Sequence, residues 1–313
     1  MLSALLAAEK TAPRRNATPA RDTAAVSRPN DPVEKEYERL LEADDVAQTE
    51  VDAWIKEANA FAEKGAGNPA NTLNLRIEQR FAEVRKAYES FLRKNPKHAR
   101  ARLAYGSFLN DVGEEEAAVA QWEKARELDP KNPAAWNNLA NYYGHRSPVK
   151  KAFEYYGKAL ELDPKEPVYY FNFATAVYLF RKDAMEYFKF TENQVFDKAL
   201  ELYRQSIKYD PTNFVLASDY AQSFYGTKPP RLEDGLVAWE QAVKLASDDF
   251  EREGVYIHFA RLKLALGRLD EARKHLNDVT HEKYVILKGT LLKNIAREEA
   301  SAKTNAAAIK PPA

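Results

Sequence analysis

The stretch PAAWNNLANYYGHRSPVKKAFEYYGKALELDP, residues 133–164, decides the fold. Trp136, Leu139, Ala140 and Tyr143 fall three and four apart, the period of one face of an α-helix. Gly144 punctuates the pattern, and Ser147-Pro148 restarts it, with serine as a cap and proline in the first helical turn. Ala152, Tyr156 and Ala159 carry the same period to Asp163-Pro164, where proline cannot continue a helix. Two helices joined by a short turn are therefore predicted. Pro130 stands 34 residues before Pro164, and both close the same Glu-Leu-Asp-Pro. Between residues 99 and 130 lie another two periodic segments, separated at Gly113.

The 34-residue unit resembles the tetratricopeptide repeat, a pair of antiparallel helices. Trp136, Leu139, Ala140, Tyr143, Ala152, Tyr156, Ala159 and Pro164 match its pattern in full. The preceding unit supplies Tyr105, Gly106, Leu109, Ala118, Trp122, Ala125 and Pro130, with Arg102 at the first large position. A third supplies Tyr170, Phe173, Ala174, Val177, Ala199, Tyr203 and Pro211. A fourth supplies Tyr220, Ala221, Phe224, Gly235, Trp239 and Ala242 without its proline. The fifth supplies Tyr256, Phe259, Ala260, Gly267, Ala272 and Leu276, with Lys263 in the aromatic slot. The resemblance implies small residues where paired helices cross and aromatics between hairpins. One hairpin cannot bury its own apolar face, so the units must stack. The implied fold is all-α, a right-handed superhelical solenoid of tetratricopeptide-type hairpins over residues 99–280.

The flanks extend the pattern. Residues 33–98 are expected to hold N-terminal helices with a degenerate first repeat: a short helix in PVEKEYERLLEADD, then VDAWIKEANAFAEKG paired with EQRFAEVRKAYESFLRKNP across a loop at Asn68-Pro69. Residues 281–300 are expected to form a capping helix carrying Tyr284, Ile286, Leu287, Leu291 and Ile295. The ends, residues 1–32 and 301–313, are expected to be disordered. MLSALLAA at the start is apolar but lacks a basic flank. It fits a truncated signal peptide of an exported, periplasmic protein, or a frayed tail of a cytoplasmic one.

Composition narrows the function. Lys+Arg and Asp+Glu both number 47, and this zero net charge argues against nucleic acid as a partner. No run reaches the length of a membrane span. The chain has no cysteine, and its five histidines show no metal-ligating spacing. GAGNPA at residues 65–70 is a loop rather than a phosphate cradle, and the acidic runs look like solvated helix starts. No catalytic constellation, metal site or cofactor site is found, so an enzyme is not expected.

The resemblance places ligand contacts on the first helix of each pair, facing a concave groove. Units counted from Ala99, Pro133, Pro167 and Phe214 give Leu103, Asn137, Phe171 and Ser218 at the fifth position. Asn138 and Asn172 take the sixth, and Ser107, Asn141, Thr175 and Gln222 the ninth. Asn110, Tyr178 and Tyr225 take the twelfth. Asn141 and Asn172 match two asparagines with which part of the family grips a terminal carboxylate. Asn137, Val215 and Asp219 replace the cations of that clamp, so chaperone-tail binding is rejected. Amides still pair with a peptide backbone as donor and acceptor. The expected partner is a protein or peptide held by a non-catalytic scaffold. The alternatives are a self-associating structural subunit or an accessory subunit of an enzyme complex, with oligomeric state open.

One segment breaks the period. Pro164 and Pro211 are 47 residues apart, 13 beyond the repeat. The excess falls near residues 181–193. Thr191 and Gln194 predict a capping box with the second helix starting at Glu192, so the extra residues should lengthen the first helix past Leu179 and add a turn. Phe180, Tyr187, Phe188 and Phe190 on this extension either fold back onto neighbouring hairpins or form a contact lobe at the groove's rim.

Overall fold

The computed structural model describes residues 31–63, 70–146 and 149–308. Residues 1–30, the Asn68-Pro69 loop, Ser147-Pro148 and residues 309–313 lie outside the described residues, with the expectations attached to them. Among those described the chain is all-α, a helical-repeat fold of the solenoid class with fourteen α-helices and no strand. It divides into two compact units, residues 1–164 and 165–313.

The first unit holds α1 (Pro32–Glu63), α2 (Ala70–Lys94), α3 (Ala99–Asp111), α4 (Glu115–Leu128), α5 (Pro133–His145) and α6 (Val149–Leu162). The two helical segments expected before residue 64 are one continuous helix. Nothing between Glu42 and Val51 is proline or glycine, and buried Ala47 and Val51 keep the apolar face of Tyr37 and Leu40 running. That face packs on Val84, Tyr88, Phe91 and Leu92, and the Tyr88 hydroxyl donates to Asp44 at 2.7 Å.

Successive hairpins α3–α4 and α5–α6 repeat one construction. Asn132 accepts from the Ala134 amide at 3.0 Å and Pro133 opens α5. Gly113 at φ +84 ends α3, letting the Glu114 amide reach the Leu109 carbonyl at 2.8 Å. Where α3 and α4 cross, a Cβ on Gly106 would lie 2.5 Å from the Trp122 ring and 3.0 Å from the Ala118 carbonyl, so only glycine fits. Ala140 and Ala152 do the same service in the next hairpin and are wholly buried.

The second unit holds α7 (Pro167–Leu179), α8 (Arg181–Phe188), α9 (Glu192–Tyr209), α10 (Phe214–Ser223), α11 (Leu232–Ala242), α12 (Asp249–Ala265), α13 (Leu269–Asn277) and α14 (Val285–Ala308). Helix α7 pairs with α9, α10 with α11, and α12 with α13. The inserted segment does not lengthen α7. Phe180 leaves the helical region at φ −102, ψ 48, and a separate short helix, α8, follows and packs on α7 and α9. Helix α8 stops at Lys189, which is left-handed at φ 59. Helix α9 starts at Glu192 behind the Thr191–Gln194 capping box, both halves of which form.

Helix α14 packs Leu291 and Ile295 on Ile257 and Ala260 of α12 and on Ala272 and Leu276 of α13. It runs on to Ala308, so residues 301–308 are helical where disorder was expected. The alanine-rich AKTNAAA favours helix, and no proline occurs before Pro311. Glu253, buried in α12, accepts from the Thr280 amide and hydroxyl at 2.8 Å and the His281 amide at 2.6 Å, holding the segment that leads into α14.

Candidate functional site

The first unit presents Ser107 and Asn110 from α3 and Asn138 and Asn141 from α5, all half-buried. Leu103 and Asn137, expected beside them, are 5% and 2% exposed and therefore do not line a groove. The fifth position is buried in these two helices, whereas Phe171 and Ser218 at the same position of later units are half-buried. Asn137 donates to the Asn138 carbonyl oxygen at 3.3 Å, and Asn138 donates to Ser107 Oγ at 3.4 Å. Ser107 in turn donates to the Leu103 carbonyl at 3.3 Å. A short relay of amides and one hydroxyl thus links α5 to α3. Asn141 accepts from the Tyr156 hydroxyl at 2.7 Å.

The second unit presents Phe171, Asn172, Thr175 and Tyr178 from α7, then Ser218 and Gln222 from α10 and Tyr225 just beyond it, all half-buried. Thr175 bonds the Tyr203 hydroxyl at 3.0 Å, and the Phe171 ring meets Tyr203 edge-on at 5.9 Å. Asn141 and Thr175 therefore share a rule. A tyrosine on the second helix of the same hairpin fixes the ninth-position side chain. Burial raises the phenols of Tyr156 and Tyr203 well above their usual range, so both act as neutral hydrogen-bonding groups. The side chain of Gln222, also at a ninth position, makes no hydrogen bond among the described residues.

The four aromatics of the insertion, Phe180, Tyr187, Phe188 and Phe190, are half-buried. Phe188 lies 6.3 Å from Phe173 of α7, 4.8 Å from Tyr187 and 5.4 Å from Phe190, stacked on the last. Phe180 is the hinge between α7 and α8. At least Phe188 of these rings is tied into its own hairpin.

Sequence reasoning missed a cluster at the end of this row. The Tyr225 hydroxyl lies 3.1 Å from His258 Nδ1, and His258 stacks on Trp239 at 4.0 Å with 12° between planes. Arg261 stands over the Tyr225 ring at 5.0 Å. Burial, reinforced by Arg261, pushes His258 down to about 3, and burial pushes Tyr225 up to about 12 with Arg261 pulling against it. The imidazole is neutral, and its Nδ1 shares a hydrogen bond with the Tyr225 hydroxyl. The signal was present: carrying the count into a fifth unit from Glu253 puts His258 at the sixth position and Arg261 at the ninth. Among the described residues no cluster is placed to hold a metal ion, and no helix is long and apolar enough to cross a membrane.

Helix pairs in tandem, with half-buried polar side chains on the first helix of successive pairs, define a helical-repeat protein of the interaction type. Residues 99–142 and residues 133–166 each match a tetratricopeptide repeat model. Residues 99–166 therefore carry tetratricopeptide repeats. No curated protein sequence matches the chain. Among solved structures, the type IV pilus biogenesis factor PilW is similar over 77% of this chain and 98% of its own, at 14% identity and a TM-score of 0.55. PilF of Pseudomonas aeruginosa is similar over 82% of this chain and 99% of its own, at 14% identity and a TM-score of 0.52. YrrB, a tetratricopeptide repeat protein described as having an unusual peptide-binding site, is similar over 67% of this chain and 99% of its own, at 16% identity and a TM-score of 0.50. At these identities the likeness establishes the fold.

Proposed function

We propose that this chain is a non-catalytic scaffold that holds an extended peptide, or an extended segment of a partner protein, against the first helices of its repeats. The observation that carries the reading is that each unit presents half-buried hydroxyl and amide side chains at positions the repeat core does not use, and that the side-chain amide of Gln222 has no hydrogen-bond partner among the described residues. An amide in that setting offers a donor and an acceptor to a passing backbone. PilW, a type IV pilus biogenesis factor, and YrrB, with its peptide-binding site, share this fold, and neither role is transferred at 14–16% identity.

The test uses random dodecapeptides fused to the N-terminus of a phage coat protein, with the full chain as bait. Peptides that are selected and then lose about tenfold in affinity with Gln222→Ala or Asn138→Ala, at unchanged melting temperature, support the reading. Failure to select any peptide overturns it, as does selection of peptides indifferent to both substitutions.

A further inference from the structure

The row of ninth-position side chains continues beyond Gln222 to Arg261, and this residue differs from every other arginine in its unit. Among the described residues of 165–308, Arg181 faces Glu192, Arg204 faces Glu201, Arg231 faces Asp197 and Arg252 faces Asp249. Arg268 faces Glu233, Arg273 faces Glu299 and Arg297 faces Glu298. Arg261 makes no ion pair and no hydrogen bond among the described residues, although it is half-buried. Its guanidinium lies over Tyr225, whose hydroxyl is turned away to His258. His258 is itself fixed by stacking on buried Trp239. Arg181 over Tyr178 makes the instructive comparison. The ring contact is similar at 5.6 Å, but that arginine also donates to the Tyr178 carbonyl at 3.1 Å and has a carboxylate 3.9 Å away.

Removing a guanidinium from water without a counter-charge is unfavourable, and a ring face offsets only part of the cost. The side chain is pre-set: the Tyr225–His258–Trp239 stack beneath it is closed by aromatic contacts and one hydrogen bond. A planar fork of donors held in this way matches one carboxylate group.

We propose that Arg261 is the receptor for a single acidic side chain, an aspartate or glutamate, of an extended peptide bound to the second unit. The proposal rests on the scaffold reading and names the chemistry of its partner. An acidic side chain is favoured over a free C-terminus because Val215 and Asp219 stand where a terminal-carboxylate grip would place cations. The surface expected to be uncharged therefore carries a positive charge at Arg261.

The display selection described above tests this directly, because peptides fused through their C-termini offer no free terminal carboxylate. Selected peptides are synthesised with amidated C-termini and titrated calorimetrically against the full chain. The expected result is an Asp or Glu recurring at one register position. Replacing it by Asn or Gln should weaken binding about tenfold, Arg261→Gln should cause the same loss, and the two changes together should cost no more than either alone. Arg261→Lys keeps the charge without the fork and should lose less than Arg261→Gln. Circular dichroism checks that each variant stays helical; if Arg261→Gln does not, the peptide substitution and Arg261→Lys decide the matter. Peptides that depend on Gln222 but carry no recurrent acid, or that bind Arg261→Gln as well as the unaltered chain, overturn the assignment and leave the scaffold reading standing. If no peptide is selected, both fall.

Discussion

Asn141 is at once a candidate contact and a structural acceptor, and the second role sets a measurable cost. Tyr156 is buried and donates to Asn141 at 2.7 Å. Asn141→Ala should destabilise the protein by about 1–3 kcal/mol, the price of a buried hydroxyl losing that acceptor. The loss should shrink when Tyr156→Phe is already present, as urea midpoints of the four-member cycle would show. Gly106→Ala places its Cβ against the Trp122 ring and should cost about 1–3 kcal/mol by the same measurement. His258 makes a prediction in pH. Its folded value is about 3 against an ordinary 6.5, so between these limits the unfolded chain binds a proton that the folded chain refuses. Stability should therefore fall as pH drops through 6.5 toward 3, by up to about 1.4 kcal/mol per pH unit from this residue. His258→Asn should show a shallower slope than the unaltered chain in parallel melts at pH 4 to 7.

At the scale of elements, the inserted helix α8 is held by ring contacts to α7 and by the cap of α9. Phe188→Ala should cost about 1–2 kcal/mol, roughly half the value of a fully buried ring, since Phe188 is half-buried against Phe173 and Phe190. An unchanged melting temperature would argue instead for a contact lobe. Helix α12 tolerates Lys263 in the aromatic slot for a readable reason. Its ammonium pairs with Glu271 at 2.8 Å and donates to His275 Nε2 at 3.0 Å, so the next helix supplies polar partners where other repeats supply a ring. Burial, with Lys263 beside it, lowers His275, which keeps that ring neutral and able to accept.

For the whole molecule, the consequence of repeat construction is local stability. Each hairpin contacts mainly its neighbours, so damage should spread only as far as those interfaces carry it. Gly106→Ala should raise amide hydrogen exchange in α3 to α5 and leave α12 to α14 near their original protection, as mass spectrometry of exchanged peptides would show. Uniform loss of protection from Pro32 to Ala308 would mean that the two units unfold as one.

The sequence by itself determined the helical hairpins between residues 99 and 280, because helix period, crossing glycines and alanines, and closing prolines are local signals repeated in tandem. It also determined the start of α9, since a capping box needs only Thr191 and Gln194. Where signals were weak or absent, tertiary packing decided. Without a breaker, α1 ran through as one helix along Val84 and Tyr88. At Phe180 the chain turned into a separate helix, because ring contacts between α8 and α7 outweighed continuation of a helix into solvent. The candidate surface divided in the same way. Its positions were legible from the repeat count, but accessibility depends on neighbours, which buried Leu103 and Asn137 and tethered Asn141 and Thr175 to tyrosines on partner helices. Arg261 could be counted but not recognised. That, among the described residues, it alone of the second unit's arginines faces no carboxylate is a fact about side chains on separate helices, and the fold brings those helices together.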